Sequence, residues 1–184
     1  MKQLKMRRFS APITPRPLPE GYTYQIGYRG SEEEITQWLD ACVGIIGDNK
    51  QRSVFENDIL NRTGVCPETD LVFVLDPSGK RVATITACQT EDGEGLIHMV
   101  GAIPESRGLG LGHCIITKAC AMLEERGMKS AMLTTNDFRL PAVKTYLDAG
   151  FLPVLWEDPE SNMAERWDKV LADLNYPKVE YLPE

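Results

Sequence analysis

Two rhythms of apolar and polar positions run along the chain, and they mark its elements. Tyr22 to Tyr28 alternates loosely and predicts a first strand. Ser31 and Glu34 have the spacing of a capping box. The helix they open carries Ile35, Trp38, Leu39, Cys42 and Ile45 at steps of three and four, so one face is apolar. A shorter helix is expected near 52–61, around Phe55 and Leu60. Leu71 to Leu75 is a short apolar run, and Arg81 to Thr90 alternates through Val82, Thr84, Thr86 and Cys88. Leu96 to Ile103 is almost continuously apolar, as in a central strand covered on both faces. The turns Asp76-Pro77-Ser78-Gly79 and Asp92-Gly93-Glu94-Gly95 join these runs and predict an antiparallel meander.

The second half changes rhythm. A glycine-rich segment leads into a helix at 110–126, with Leu111, Ile115, Ala119, Met122 and Leu123 inward and Gly127 at its C-terminus. Ser130 to Thr134 reads as a strand. Leu140 to Ala149 reads as a helix, with Leu140, Val143 and Leu147 inward, Pro141 in its first turn and Gly150 as its cap. Phe151 to Trp156 is a further strand and Met163 to Leu174 a terminal helix. Residues 10–20 hold four prolines and read as extended chain. Residues 1–20 are therefore assigned to a proline-rich N-terminal arm and 21–184 to a single mixed α/β domain.

Composition narrows the class. With 184 residues, 42% of them hydrophobic and 26% charged, the chain fits one globular domain. A net charge of −7 argues against a large nucleic-acid surface, which needs clustered positive charge. No run approaches the roughly 20 apolar residues of a membrane span. Lys2, Lys5, Arg7 and Arg8 are not followed by the apolar stretch of a secretory signal. The five cysteines are odd in number and form no CxxC pair, which points to free thiols and a cytoplasmic setting. His98 and His113 are the only histidines, at no metal-like spacing, so no metal is expected.

The sharpest chemical feature is Arg107-Gly108-Leu109-Gly110-Leu111-Gly112, between an apolar strand and an amphipathic helix. Glycines there permit positive φ, and successive N–H groups at a helix N-terminus can converge on an anion such as a diphosphate. The glycines are spaced two and two, so they do not match the GxGxxG of a dinucleotide fold. Gly112-His113 stands where a phosphate-binding Walker loop needs Gly-Lys-Ser or Gly-Lys-Thr. A plain glycine turn before a helix is the remaining alternative.

The segment resembles the acyl-coenzyme A site of the GNAT superfamily of N-acyltransferases. The family motif of Arg or Gln, two residues, Gly, one residue, Gly or Ala is matched by Arg107, Gly110 and Gly112. Upstream, Val100-Gly101-Ala102-Ile103-Pro104 resembles the family's apolar strand ending before a proline. Downstream, Asn136 and Tyr146-Leu147-Asp148-Ala149-Gly150-Phe151 match its Asn and its Tyr before Gly-Phe. The stretch between Asn136 and Tyr146 is a few residues longer than usual. Asn136 is therefore left with two roles, cofactor contact or strand-end cap.

The resemblance implies a GNAT-like domain, with a central mixed, mostly antiparallel sheet flanked by helices and two splayed parallel strands forming the cofactor cleft. It implies acetyl-CoA as co-substrate. The amides of Arg107, Gly108, Leu109, Gly110, Leu111 and Gly112 would take the diphosphate. The backbone of Gly101, Ala102 and Ile103 would pair with the pantetheine arm, and an amide near Val100 or Gly101 would polarise the thioester carbonyl. Tyr146 would protonate the leaving thiolate; its alternative is packing on the sheet. Cys114 and Cys120 belong to the core on this reading. A base is needed for the amine, and His98, Glu94 and Asp137 are candidates. Glu56 and Asp58 would recognise a cationic substrate, and solvated surface charge is the alternative for these groups. Trp38, Phe55, Tyr22 and Tyr24 are candidate pocket walls. The expected activity is N-acetyl transfer to the primary amine of a small molecule or peptide. A non-catalytic CoA-binding module and a transferase of longer acyl groups are the alternatives. Homodimers are common in the family, but no segment here specifies an interface.

Overall fold

Ser31 and Glu34 start helix α1 (Glu32–Ile46) as their spacing predicts. The Ser31 hydroxyl accepts from the Glu34 N–H at 3.2 Å, and the Glu34 carboxylate accepts from the Ser31 N–H at 3.0 Å. Glu34 does more than cap: it is fully buried and also accepts from the Arg29 N–H at 3.1 Å and from the Gln25 amide. Burial alone would push its carboxyl up. The hydrogen bonds from Ser31, Gln25 and Arg29 outweigh that and hold it below its usual range.

The computed structural model describes residues 2–155 and 162–184. Eight strands form one sheet in the order β2-β3-β4-β5-β6-β1-β7-β8. They are β1 (Leu4–Phe9), β2 (Thr23–Ile26), β3 (Leu71–Leu75), β4 (Arg81–Gln89), β5 (Gly95–Ala102), β6 (Ser130–Thr135), β7 (Leu152–Leu155) and β8 (Leu182–Pro183). β2 to β5 form the expected antiparallel meander. Among the described residues, only β5 with β6 and β7 with β8 run parallel. The helices after α1 are α2 (Arg52–Phe55), α3 (Pro67–Asp70), α4 (Leu111–Glu125), α5 (Leu140–Asp148) and α6 (Met163–Asp173).

Two cores cover the sheet. Leu71 and Phe73 of β3 face Ile35, Trp38, Leu39, Cys42, Phe55 and Ile59. Val72 and Val74 alternate to the other side and join Leu111, Ile115, Ala119 and Leu123 of α4, with Val143, Tyr146 and Leu147 of α5. The five residues placed inward on α4 are all buried there. Trp38 and Phe55 meet edge to face with ring centroids 5.2 Å apart; both are fully buried core and do not wall a pocket. All five cysteines are free, four of them buried and Cys66 exposed.

The sheet also contains a strand that the sequence placed in the arm. Residues 4–9 are β1, inserted antiparallel between β6 and β7. Leu4, Met6 and Arg8 point inward, and the third of these is a cation, so the alternation looks like a basic leader. Arg8 is buried because its guanidinium meets the Glu124 carboxylate and the carbonyls of Ala11 and Ala149. Residues 10–19 have no regular structure and run across α4, where the Cys114 thiol contacts the Pro17 carbonyl and the Arg16 N–H donates to Thr117. The helix expected near 52–61 is α2 continued by one π-helical turn, Glu56–Leu60. Trp156 lies outside the described residues. No helix among the described residues is long and apolar enough to cross a membrane.

Candidate functional site

The site is built on a departure from sheet regularity. β5 and β6 pair only at Gly95 with Ala131 and at Leu96 with Met132, and beyond that point they part. A bulge in β5 lies just past the separation. Thr84 faces Gly101 and Thr86 faces His98, so Met99 and Val100 together oppose Ile85. Met99 takes φ of 50°, a left-handed conformation uncommon for a side chain of its size. After the bulge, β5 continues against β4 and away from β6. The Ile103 N–H donates to the Val82 carbonyl at 2.9 Å. Antiparallel pairing alternates, so the neighbouring Ala102 turns its N–H and C=O toward the gap. Gly101 is pressed against α1: a Cβ there would lie 2.3 Å from the Ala41 oxygen.

The chain then turns through Pro104–Ser106 and reaches the glycine segment. Gly108 and Gly110 have φ of 81° and 75°, and a Cβ on either would meet nothing within 4 Å. Backbone conformation rather than crowding makes these positions glycine. Gly110 caps α4 without a side chain, Leu111 anchors the first turn in the core, and Leu109 is exposed. The N–H groups of residues 108–112 donate to nothing among the described residues. They form an open row of donors at a helix N-terminus, the arrangement that receives anions.

Tyr146 sits on α5 below the gap. Its ring packs against Phe151, with centroids 6.3 Å apart, and only 6% of the residue is exposed. Its hydroxyl makes no hydrogen bond among the described residues. Burial pushes its pKa up to about 12, against a smaller opposing effect from Arg139, so the phenol stays protonated at neutral pH. Gly150, with φ of 87°, closes α5, and the Phe151 N–H returns to the Tyr146 carbonyl at 3.0 Å. Asn136 directly follows β6, and its carbonyl accepts from the Arg139 N–H at 3.0 Å. The N-terminal cap of α5 is Arg139.

The candidate bases separate into two groups. Glu94 is held by Arg7, with nitrogen–oxygen distances of 2.7 and 3.2 Å, and by the Ser130 hydroxyl at 2.9 Å. Asp137 is paired with Arg166, and that pairing holds its carboxyl below the usual range despite partial burial. Glu56 pairs with Arg52 on the surface. These three carboxylates are occupied in ion pairs. His98 and Asp58 instead come together, with Nε2 3.6 Å from an Asp58 oxygen, beside the β5 bulge. The His98 Nε2 is buried and without a hydrogen bond. Burial, helped by the nearby charge of Arg62, pushes the imidazole down to about 4, so it is neutral at pH 7. Burial raises the Asp58 carboxyl, with Arg62 opposing. The π-helical turn carries Asp58, and such turns recur where a side chain must be re-aimed. The bulge at Met99 and the place of Arg139 had no signature in the sequence, because neither residue type marks such a role.

Together these features define an α/β protein in which two parallel strands part and the outer end of one leads into a donor-lined glycine turn at a helix start. The model of the Acetyltransferase (GNAT) family matches residues 32–151, and the chain belongs to that family. It is 30% identical over 156 residues to a mycothiol acetyltransferase of Thermobispora bispora, covering 80% of this chain and 52% of that protein. A mycothiol acetyltransferase of Thermomonospora curvata is 26% identical over 167 residues, covering 85% and 54%. The chain thus spans about half the length of these relatives. Among solved structures, a GCN5-related N-acetyltransferase from Sphaerobacter thermophilus shares the fold with a TM-score of 0.65 and 22% identity. The match covers 82% of this chain and 47% of that one. One from Kribbella flavida gives 0.55 at 22% identity, covering 82% and 54%.

Proposed function

We propose that the protein transfers an acetyl group from acetyl-CoA to a primary amine by direct attack on the thioester. The observation that carries this is the row of unclaimed N–H groups at 108–112, at the end of a strand that has left its parallel neighbour. The diphosphate would lie in that row, with Arg107 beside it. The pantetheine arm would follow the open backbone of Ala102 along β5, and the thioester would reach the bulge at Met99 and Val100. There Asp58 would hold the substrate as its ammonium, which gives up one proton to solvent; the resulting amine attacks, and neutral His98 accepts the second proton as the bond to carbon forms. The carbon–nitrogen bond forms, the carbon–sulfur bond breaks, and the Tyr146 hydroxyl delivers a proton to the departing sulfur. Asn136, just after β6, would contact the same cofactor.

The test is binding, then turnover. Acetyl-CoA at a hundred times its Kd should stabilise the fold by about 2.7 kcal/mol in a thermal melt. Gly110→Val, which forces a β-branched residue into the left-handed region, should lose that gain. An unshifted wild-type melt refutes the reading. Acetyl, propionyl and succinyl donors then fix the acyl group, and a panel of amines identifies the acceptor. Mycothiol-related acceptors join that panel because of the relatives' name. A protein that binds the cofactor and acetylates none of them is a CoA-binding module.

A further inference from the structure

Six arginines sit against carboxylates: Arg7, Arg8, Arg52, Arg81, Arg126 and Arg166. Arg107 and Arg139, like Arg16, Arg29 and Arg62, do not among the described residues, and Arg107 and Arg139 share a neighbour in Gly44. The Arg139 Nη2 donates to the carbonyl of Gly44 on α1 at 3.2 Å, reaching from the start of α5 to the helix on the opposite face of the sheet. An Arg107 Nη2 lies 3.8 Å from the place a Gly44 Cβ would take, so the missing side chain leaves room for the second guanidinium. No carboxylate of the described residues pairs with either, although the chain carries a net charge of −7.

The Arg139 guanidinium is also short of acceptors. Its Nε is buried with no hydrogen bond, and its cation lies 5.5 Å from the ring centroid of Phe138, which is 76% exposed. The aromatic ring covers one face of the guanidinium, and on its donor edge Nε is unused. That edge is the part of arginine that matches a carboxylate in two parallel hydrogen bonds. The charge of Arg139 acts on Tyr146, at the reacting end of the cleft. The helix it grips also presses Ala41 on Gly101, beside the bulge.

We propose that Arg139, with Arg107 adding charge, forms a carboxylate-binding clamp at Gly44, and that the amine acceptor is accordingly an amino acid or an amino-acid-like molecule. This rests on the acetyl-transfer reading above. The amine goes to Asp58 and His98 and the carboxylate to the clamp, so the cleft selects molecules that carry both groups. An acidic protein repels a free carboxylate at long range, and two local cations are what would reverse that at the site.

The test compares pairs of ligands that differ only in the carboxylate. With CoA bound, N-acetylglycine and N-acetylglycinamide are titrated calorimetrically, which needs no turnover. Amino acids and their amides are then compared as acceptors. The acid should be preferred over the amide by about tenfold, the size of one charge-assisted hydrogen bond, and Arg139→Gln should abolish that preference. Should Arg139→Gln fail to fold, Arg107→Gln reads the same ratio and should reduce it. Equal binding of acid and amide by the wild type overturns the proposal. So does an Arg139→Gln protein that keeps the preference, or one that loses acetyl-CoA affinity instead, since the cation would then serve the cofactor. Failure of wild-type protein to bind acetyl-CoA is a separate result and refutes the acetyl-transfer reading, while the titration still reports on the clamp.

Discussion

Gly101→Ala adds a single methyl group at the tightest contact around the cleft. An ideal Cβ there lies 2.3 Å from the Ala41 carbonyl oxygen, 2.9 Å from its carbon and 3.2 Å from the Cys42 Cα. All three are backbone atoms of α1, so no rotamer change relieves the clash. Ordinary contact begins near 3.4 Å, and α1 must retreat from β5 by about 1 Å. Overpacking of this kind costs about 1–3 kcal/mol. For a chain of this length that lowers Tm by about 6 °C near the middle of the range. The retreat also moves the wall facing the bulge, and a misplacement of about 1 Å at a reacting centre can cost on the order of 100-fold in kcat/KM. Differential scanning calorimetry and steady-state kinetics on the same preparation read both effects. Gly93→Ala is the control: it lies in a hairpin turn with φ of 79° and nothing within 4 Å, so it should cost some stability and leave turnover alone. A Gly101→Ala protein with wild-type Tm and wild-type kcat/KM would falsify the claim that α1 is wedged on this strand.

Two further predictions follow from the chemistry of the cleft. Tyr146→Phe keeps the ring packed on Phe151 and removes a hydroxyl that makes no hydrogen bond among the described residues, so folding and acetyl-CoA affinity should hold while kcat falls by about 100-fold or more; an unchanged kcat removes the phenol from the proton transfer. His98 is neutral in the fold with a pKa near 4, whereas the unfolded chain takes its proton near the ordinary value of 6.5. The stability due to this group is therefore complete above about pH 6.5 and drains as the pH falls toward about 4, by about 3 kcal/mol in all. Urea melts between these limits should show that slope in the wild type and a shallower one in His98→Gln, and equal slopes would place the titration elsewhere.

Much of the architecture was legible because single positions carried several signals at once. Ser31 and Glu34 marked the start of α1 by a spacing that only a helix satisfies with two reciprocal hydrogen bonds. Gly127 and Gly150 marked the ends of α4 and α5 because both positions require positive φ. The glycine turn was legible for the same reason. What escaped was anything set by partners distant in sequence. Glu94 and Asp137 are acidic residues at strand ends, as a base would be. Their neutralisation by Arg7 and Arg166 spans 87 and 29 positions of chain and leaves no local trace. The pairing of His98 with Asp58 depends on a π-helical turn and a β-bulge meeting in space. Neither irregularity has a residue signature here, since Met99 adopts its positive φ only because the flanking pairs with β4 impose it.

The N-terminal strand explains how the cleft can stay open. A parallel pair held by two facing positions does not by itself fix the far strand, and among the described residues β6 has no other strand pairing with the meander. Its rigidity must come from the other side. There β1 pairs with it along its whole length, from Leu4 opposite Thr135 to Phe9 opposite Ser130. β1 also pairs with β7, so the far half of the sheet is one unit centred on residues 4–9. Two ion pairs then set that unit against the near half: Arg7 reaches across β6 to Glu94 at the foot of β5, and Arg8 reaches Glu124 on α4. Both anchors lie at the closed end of the gap, where β5 and β6 still pair. The two walls are therefore pinned together at the foot and held apart above it by separate sheets of hydrogen bonds. A slot between strands keeps its backbone donors free for a ligand only if neither strand can slide over to satisfy them, and β1 supplies that constraint for β6 as β4 does for β5.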